Sequence, residues 1–162
     1  WVHVVAGVPT RTLLLARHLA QLTPMLALVL FVDVAAVILA EDTARALLVA
    51  VISLGLLMSA AGLALLLTTY NPFPTARPGT SPWADKSGFS GAAFTAAFAA
   101  LLTGWIPAAP GAALVAFGWT VPGVLLALAL PALFYLGSLR VATWRVESHL
   151  PEIYARVERW VN

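Results

Sequence analysis

The sequence predicts an all-α, polytopic membrane protein with four transmembrane helices and an amphipathic cytoplasmic interfacial helix at each end. Three observations predict it. First, the chain is 61% hydrophobic and only 10% charged, whereas soluble domains carry about 25% charged residues. Second, its apolar residues form runs such as LLVAVISLGLLMSAAGLALLL. A hydrocarbon core about 30 Å thick needs roughly 20 apolar residues rising 1.5 Å each. Third, Lys and Arg sit in segments that alternate with those runs.

Residues 1–21 form the first element, an interfacial helix. Gly7, Val8, Pro9 and Thr10 make a turn, after which Thr10 can cap a helix bearing Leu13, Leu14, Arg17 and Leu19. Arg11 and Arg17 are available there to lipid headgroups or to a soluble partner. The chain opens on Trp1 rather than Met, so the expectation is a piece cut from a longer chain, with the question of further N-terminal spans left open.

A transmembrane domain follows over residues 22–142. Its first span covers 22–40 and contains Pro24 and Asp33; its second covers 44–68 and is free of charge after Arg45. Glu41, Asp42 and Thr43 close these two into a hairpin. The third span is expected over 89–109 and the fourth over about 114–139. Pro107, Pro110, Gly111, Gly118 and Pro122 punctuate the approach to the fourth, and 107–120 is open to a re-entrant reading. Pro131 is expected to kink the fourth span without ending it, because neighbouring groups in a membrane bundle re-satisfy the freed carbonyl. Gly55 with Ser59, and Ala96 with Ala100 and Gly104, place small residues four apart where helices could approach closely.

Residues 143–162 form the last element. Leu150, Ile153, Val157 and Trp160 recur at spacings of three and four, with Glu152, Arg156 and Arg159 turned away. Ser148 is the expected cap and Pro151 falls in the first turn, where proline is tolerated. Between the second and third spans, NPFPTARPGTSPWADKSG holds four prolines and two glycines, a stiff connector open either to a contact role or to simple linkage.

Orientation follows from the basic residues. Arg11, Arg17, Arg77, Lys86, Arg140, Arg145, Arg156 and Arg159 fall in segments that four spans would leave on one side, and Arg45 alone falls on the other. The positive-inside rule makes that side cytoplasmic, with both chain ends on it. Trp83, Trp105, Trp119 and Trp144 flank span ends, the headgroup depth that indole favours. The expected location is a cell membrane, crossed several times, of the bacterial cytoplasmic type.

Little points to bond-making chemistry. A net charge of +2 is too small and scattered for a nucleic-acid surface. The lack of Cys excludes a disulfide framework and a thiolate metal site. His3, His18 and His149 lie near the cytoplasmic surface at no metal-ligand spacing and read as surface polar residues. No phosphate-binding Gly-rich loop, nucleophile elbow or carboxylate pair occurs, so no catalytic residue, metal or cofactor is assigned to this chain. Asp33 alone is ionisable within an apolar run. Burying it charged at mid-membrane costs about 2.5 to 3.5 kcal/mol, so it should face protein or water. It is open to two readings, a polar point on a transport path or a structural residue bonded to a neighbouring helix near the outer interface.

WVHVVAGVPTRTLLLARHLAQLTP and the spans after it resemble the C-terminal half of the permease subunit of type-two ABC exporters, particularly actinobacterial ones. Gly7, Val8, Pro9, Thr10, Arg11 and Arg17 match that family's Gly-Val-x-x-Arg pattern, and NPFPTARPG looks like its Pro-Phe-containing loop. The resemblance implies a coupling helix, with Gly7, Val8, Pro9, Thr10, Arg11, Leu14 and Arg17 docking a separate ATP-binding subunit that holds ATP and Mg. It also implies outward movement of a hydrophobic or amphipathic substrate by alternating access. The family's permease unit has about six spans and this chain four, so the remaining helices would come from the missing part of the permease or from a second permease copy. The rival reading is a non-transporting membrane anchor or assembly subunit. A lipid-modifying membrane enzyme ranks below both, since no intramembrane acid and histidine constellation is visible.

Overall fold

A computed structural model describes residues 7–70 and 91–152. It is helical, with α1 over Thr10–Leu39, α2 over Thr43–Tyr70, α3 over Gly91–Thr103, α4 over Ala109–Ala116 and α5 over Thr120–Ser148. Among the described residues there is no strand. Helices α1, α2 and α5 are each long and apolar enough to cross a membrane, which marks the chain as a membrane protein.

The 30 residues of α1 run without a break, about 45 Å at 1.5 Å per residue. The segment read as a separate interfacial helix is therefore continuous with the first span. Its cap also differs from expectation: Pro9 stands at the N-cap and Thr10 is the first helical residue, with no side-chain cap bond. Gly7 precedes them at φ +65, a left-handed conformation that glycine adopts without a Cβ penalty. Pro24 lies inside α1 and cannot donate to the Ala20 carbonyl. After the turn, Asp42 caps α2 by accepting a hydrogen bond from the Arg45 backbone N–H at 3.0 Å.

Helices α2 and α5 run in the same direction. Gly55 faces Ala127 and Pro131, Gly62 faces Phe134 and Tyr135, and the Arg145 guanidinium lies 5.3 Å from the Tyr70 ring centroid. Position numbers thus rise together along both helices. The glycines make this approach possible: a Cβ at Gly62 would sit 3.0 Å from Phe134 Cδ1, and one at Gly55 would overlap the Ala127 carbonyl oxygen. That oxygen is special. Pro131, four residues on and fully buried, has no N–H to give it, so the carbonyl is left to the Gly55 backbone, which approaches it closely in the manner of a weak Cα–H contact. Pro131 stays within one continuous helix, as expected.

The remaining elements depart from the expected third and fourth spans. Helix α3 stops at Thr103, leaving 13 residues, or about 20 Å. Pro107 and Pro110 explain the stop, since neither can donate to the carbonyl four residues back. The chain passes instead through turns in which Ile106 N–H bonds Thr103 O at 3.1 Å and Ala108 N–H bonds Trp105 O at 3.0 Å. Residues 89 and 90 lie outside the described part. The helix expected as the fourth span, α5, begins at Thr120 rather than near 114, because residues 114–116 belong to the shorter helix α4. That helix ends in a Schellman turn: Gly118 at φ +85, Gly118 N–H to Val115 O at 3.0 Å and Trp119 N–H to Leu114 O at 2.9 Å. Helix α4 then lies antiparallel on α5, with Gly111 against Ala127 and Val115 against Gly123. At its other end α5 continues past Leu139 to Ser148, since Arg140 and Arg145 are good helix formers.

Ser148 is the last residue of α5 rather than a cap, and the next helical segment starts at Leu150 with Pro151 in its first turn. Residues 153–162, the Asn71–Gly88 loop, His3 and Trp83 fall outside the described part. Several hydroxyl side chains in the helices return a bond to a carbonyl of their own preceding turn, as Ser59 does to Gly55 O at 3.0 Å, Thr69 to Leu65 O at 3.0 Å and Thr143 to Leu139 O at 2.8 Å. Such bonds let hydroxyl groups sit in an apolar bundle at little cost.

Candidate functional site

Helix α1 turns one narrow stripe inward, with His18, Leu22, Val29, Asp33 and Val37 buried or half-buried on it. Both polar residues of the stripe meet a partner helix. Asp33 Oδ2 accepts a hydrogen bond from the Ser53 hydroxyl of α2. The same Ser53 Oγ lies 2.9 Å from the Ala50 carbonyl oxygen. A hydroxyl carries one proton, so Ser53 can bond the carboxylate or its own helix at a given moment, but not both. Asp33 and Ser53 each stand ten residues from Thr43, the first residue of α2, so the hairpin brings them to the same depth. Asp33 therefore faces protein, as its cost in lipid requires. Ser53 went unnoticed in the sequence, although equal spacing about the hairpin turn was a signal that could have found it.

His18 corrects the sequence reading. It is 8% exposed rather than a surface residue, its ring tilted against Tyr135 of α5 with centroids 5.7 Å apart. Its Nε2 is buried with no hydrogen-bond partner, as is the Ser138 hydroxyl oxygen one turn beyond Tyr135. Nothing in the spacing of three scattered histidines distinguishes His18; only the unbroken course of α1 carries it onto α5.

The residues named for partner docking lie at the start of α1. Gly7, Val8, Pro9, Arg11 and Arg17 are exposed, and Thr10 and Leu14 are half-buried. This end presents two cations and a stiff turn to its surroundings, with no acidic residue in the first helical turn. Asp33 is not part of that surface. Sixteen helical residues separate it from Arg17, about 24 Å along the axis.

A second polar cluster closes the end of α5. The Arg145 guanidinium, stacked on Tyr70, also lies 3.7 Å from Glu152, and Trp144 packs edge-on against His149. These contacts tie the ends of α2 and α5 to the start of the terminal helix. Among the described residues, no three His, Asp or Glu side chains are grouped to hold a metal ion.

Comparison of the chain with family models, curated proteins and solved structures gives no match.

Proposed function

We propose that this chain is the membrane-spanning permease part of an ATP-driven exporter, working with a separate ATP-binding subunit that docks at Gly7 to Arg17. The observation that carries the proposal is the continuity of α1. Its length exceeds the roughly 30 Å hydrocarbon core by about 15 Å, and the excess bears the exposed Arg11 and Arg17. A partner that grips this end moves the helical segment before Pro24 as one body, whereas a flexible linker would dissipate the motion. The Asp33 and Ser53 pair supplies a polar point further along the same helix.

The parallel course of α2 and α5 supports four crossings with both ends cytoplasmic. Two parallel spans require an odd number of crossings between them, and α3 with α4 supply one. Gly104 lies beside Ala60 of α2, and Gly111 lies level with Gly55 through Ala127. The chain thus advances along α2 through the Pro107 and Pro110 break, as the discontinuous helices of transporters do. Cysteine substitution in this Cys-free chain tests the orientation. An impermeant thiol reagent added to intact cells is expected to label Thr43→Cys and spare Thr75→Cys; the reverse pattern would invert the topology and remove the docking surface from the ATP-bearing side.

Docking itself is tested by Arg11→Glu. Protein level in the membrane should be unchanged, while co-purification of the ATP-binding subunit falls about tenfold, the equivalent of about 1.4 kcal/mol. If the variant keeps both the partner and its ATPase activity, the surface is not a coupling element. Loss of membrane seating with the partner retained would assign Arg11 to lipid headgroups instead.

A further inference from the structure

We propose that α1 is a hinged arm on an otherwise rigid unit of α2, α4 and α5, pivoting at Pro24 between two polar attachments. The rigidity of the unit follows from backbone contacts. Gly55 of α2 and Gly111 of α4 both approach the backbone of Ala127, which is fully buried, and a Cβ on either glycine would overlap it. A Cβ on Gly123 would sit 2.7 Å from Val115 Cγ2. Helices interlocked backbone to backbone have no slack, because any slide drives one main chain into another.

Helix α1 is held differently. His18 is its one buried residue. It meets α2 through Asp33 and Ser53 and α5 through His18 and Tyr135, and residues 23–28 between those points are all exposed. The two attachments are fifteen residues apart on α1, about 22 Å, one on α2 and the other on α5. Pro24 stands in this exposed stretch. The bond it cannot make to Ala20 O leaves a weak point in the helix, and the Thr23 hydroxyl instead bonds Leu19 O at 2.7 Å.

The inner attachment is the one built to release. His18 Nε2 and Ser138 Oγ are both buried without partners, and withdrawal of the arm toward the headgroup zone would return His18 to water. The outer attachment keeps a hydrogen bond and serves as the anchor. Use of the arm as a lever rests on the proposed function; its mobility depends only on contacts within this chain.

Spin-label distance measurements on the full chain in nanodiscs test the idea, using exposed positions in the Cys-free background. Labels at Ala16 and Arg140 report arm against unit; labels at Thr68 and Arg140 report within the unit. The first pair is expected to give a distribution at least twice as wide as the second. His18→Ala should widen or shift the first pair, and Pro24→Ala should narrow it, with the second pair unchanged in both variants as proof that the unit is folded. Equal widths, or a first pair indifferent to both substitutions, would overturn the arm. A broad second pair would overturn the rigid unit.

Discussion

Gly55→Val is expected to separate α2 from α5 and to cost about 3 kcal/mol or more, at the upper end of overpacking penalties. The obstacle to the new side chain is main chain. Its Cβ would occupy the space of the Ala127 carbonyl oxygen, with Pro131 Cγ 3.5 Å away, so no rotamer change can make room. A shift of α5 away from α2 would also disturb its seat on α4, since Gly111 of α4 packs against the same Ala127. The substitution therefore loads three helices at once. Gly137→Val is the control, because nothing lies within 4 Å of a Cβ there, and surface changes of that kind stay within about 0.5 kcal/mol. Unfolding in mixed micelles with rising denaturing detergent should show Gly55→Val unfolding far earlier than the parent and Gly137→Val alongside it. Equal midpoints for all three proteins would refute the close approach of α2 and α5.

The same residues explain what the sequence discloses and what it conceals. The hairpin of α1 and α2 was legible, because two long apolar runs flank a short polar turn and a bilayer fixes how long a run must be. Gly55 and Ser59 were legible as a packing stripe because lipid gives helices no hydrophobic reason to associate. The boundaries around residues 103–120 were not. Hydropathy stays high from Phe94 through Val121, so the run hides two changes of course that only Pro107, Pro110 and Gly118 impose. Nor was the packing of α5 beside α2 and α4 legible, since which small residues meet depends on helices far apart in the chain. For the candidate site, Asp33 stood out because a carboxylate in an apolar run is costly. Ser53 and His18 did not, because a serine in a span satisfies itself on its own helix and a lone histidine carries no spacing.

Asp33→Ala is expected to leave the fold nearly intact and to lower export by about tenfold or more, which separates the two roles open to this carboxylate. The structural role predicts a large loss of stability, because removing one member of a buried polar pair ordinarily strands the other at a cost of about 1 to 3 kcal/mol. Ser53 is not stranded. Its hydroxyl already lies 2.9 Å from the Ala50 carbonyl and can turn its proton there when the carboxylate is gone. The net loss should then be near the average of about 0.6 kcal/mol for a hydrogen bond between membrane helices. Since the Asp33 to Ser53 bond is so readily replaced, stability gives little reason to place a carboxylate in this run, where it carries an insertion cost of about 2.5 to 3.5 kcal/mol. That imbalance favours a part in transport. Two measurements decide the matter: the unfolding midpoint of Asp33→Ala, Ser53→Ala and the double variant, and export in cells at matched protein levels. Small, additive stability changes together with impaired export in Asp33→Ala but not in Ser53→Ala place the carboxylate on the path. Strong non-additive destabilisation with export in proportion to surviving protein would return Asp33 to a purely structural bond between α1 and α2.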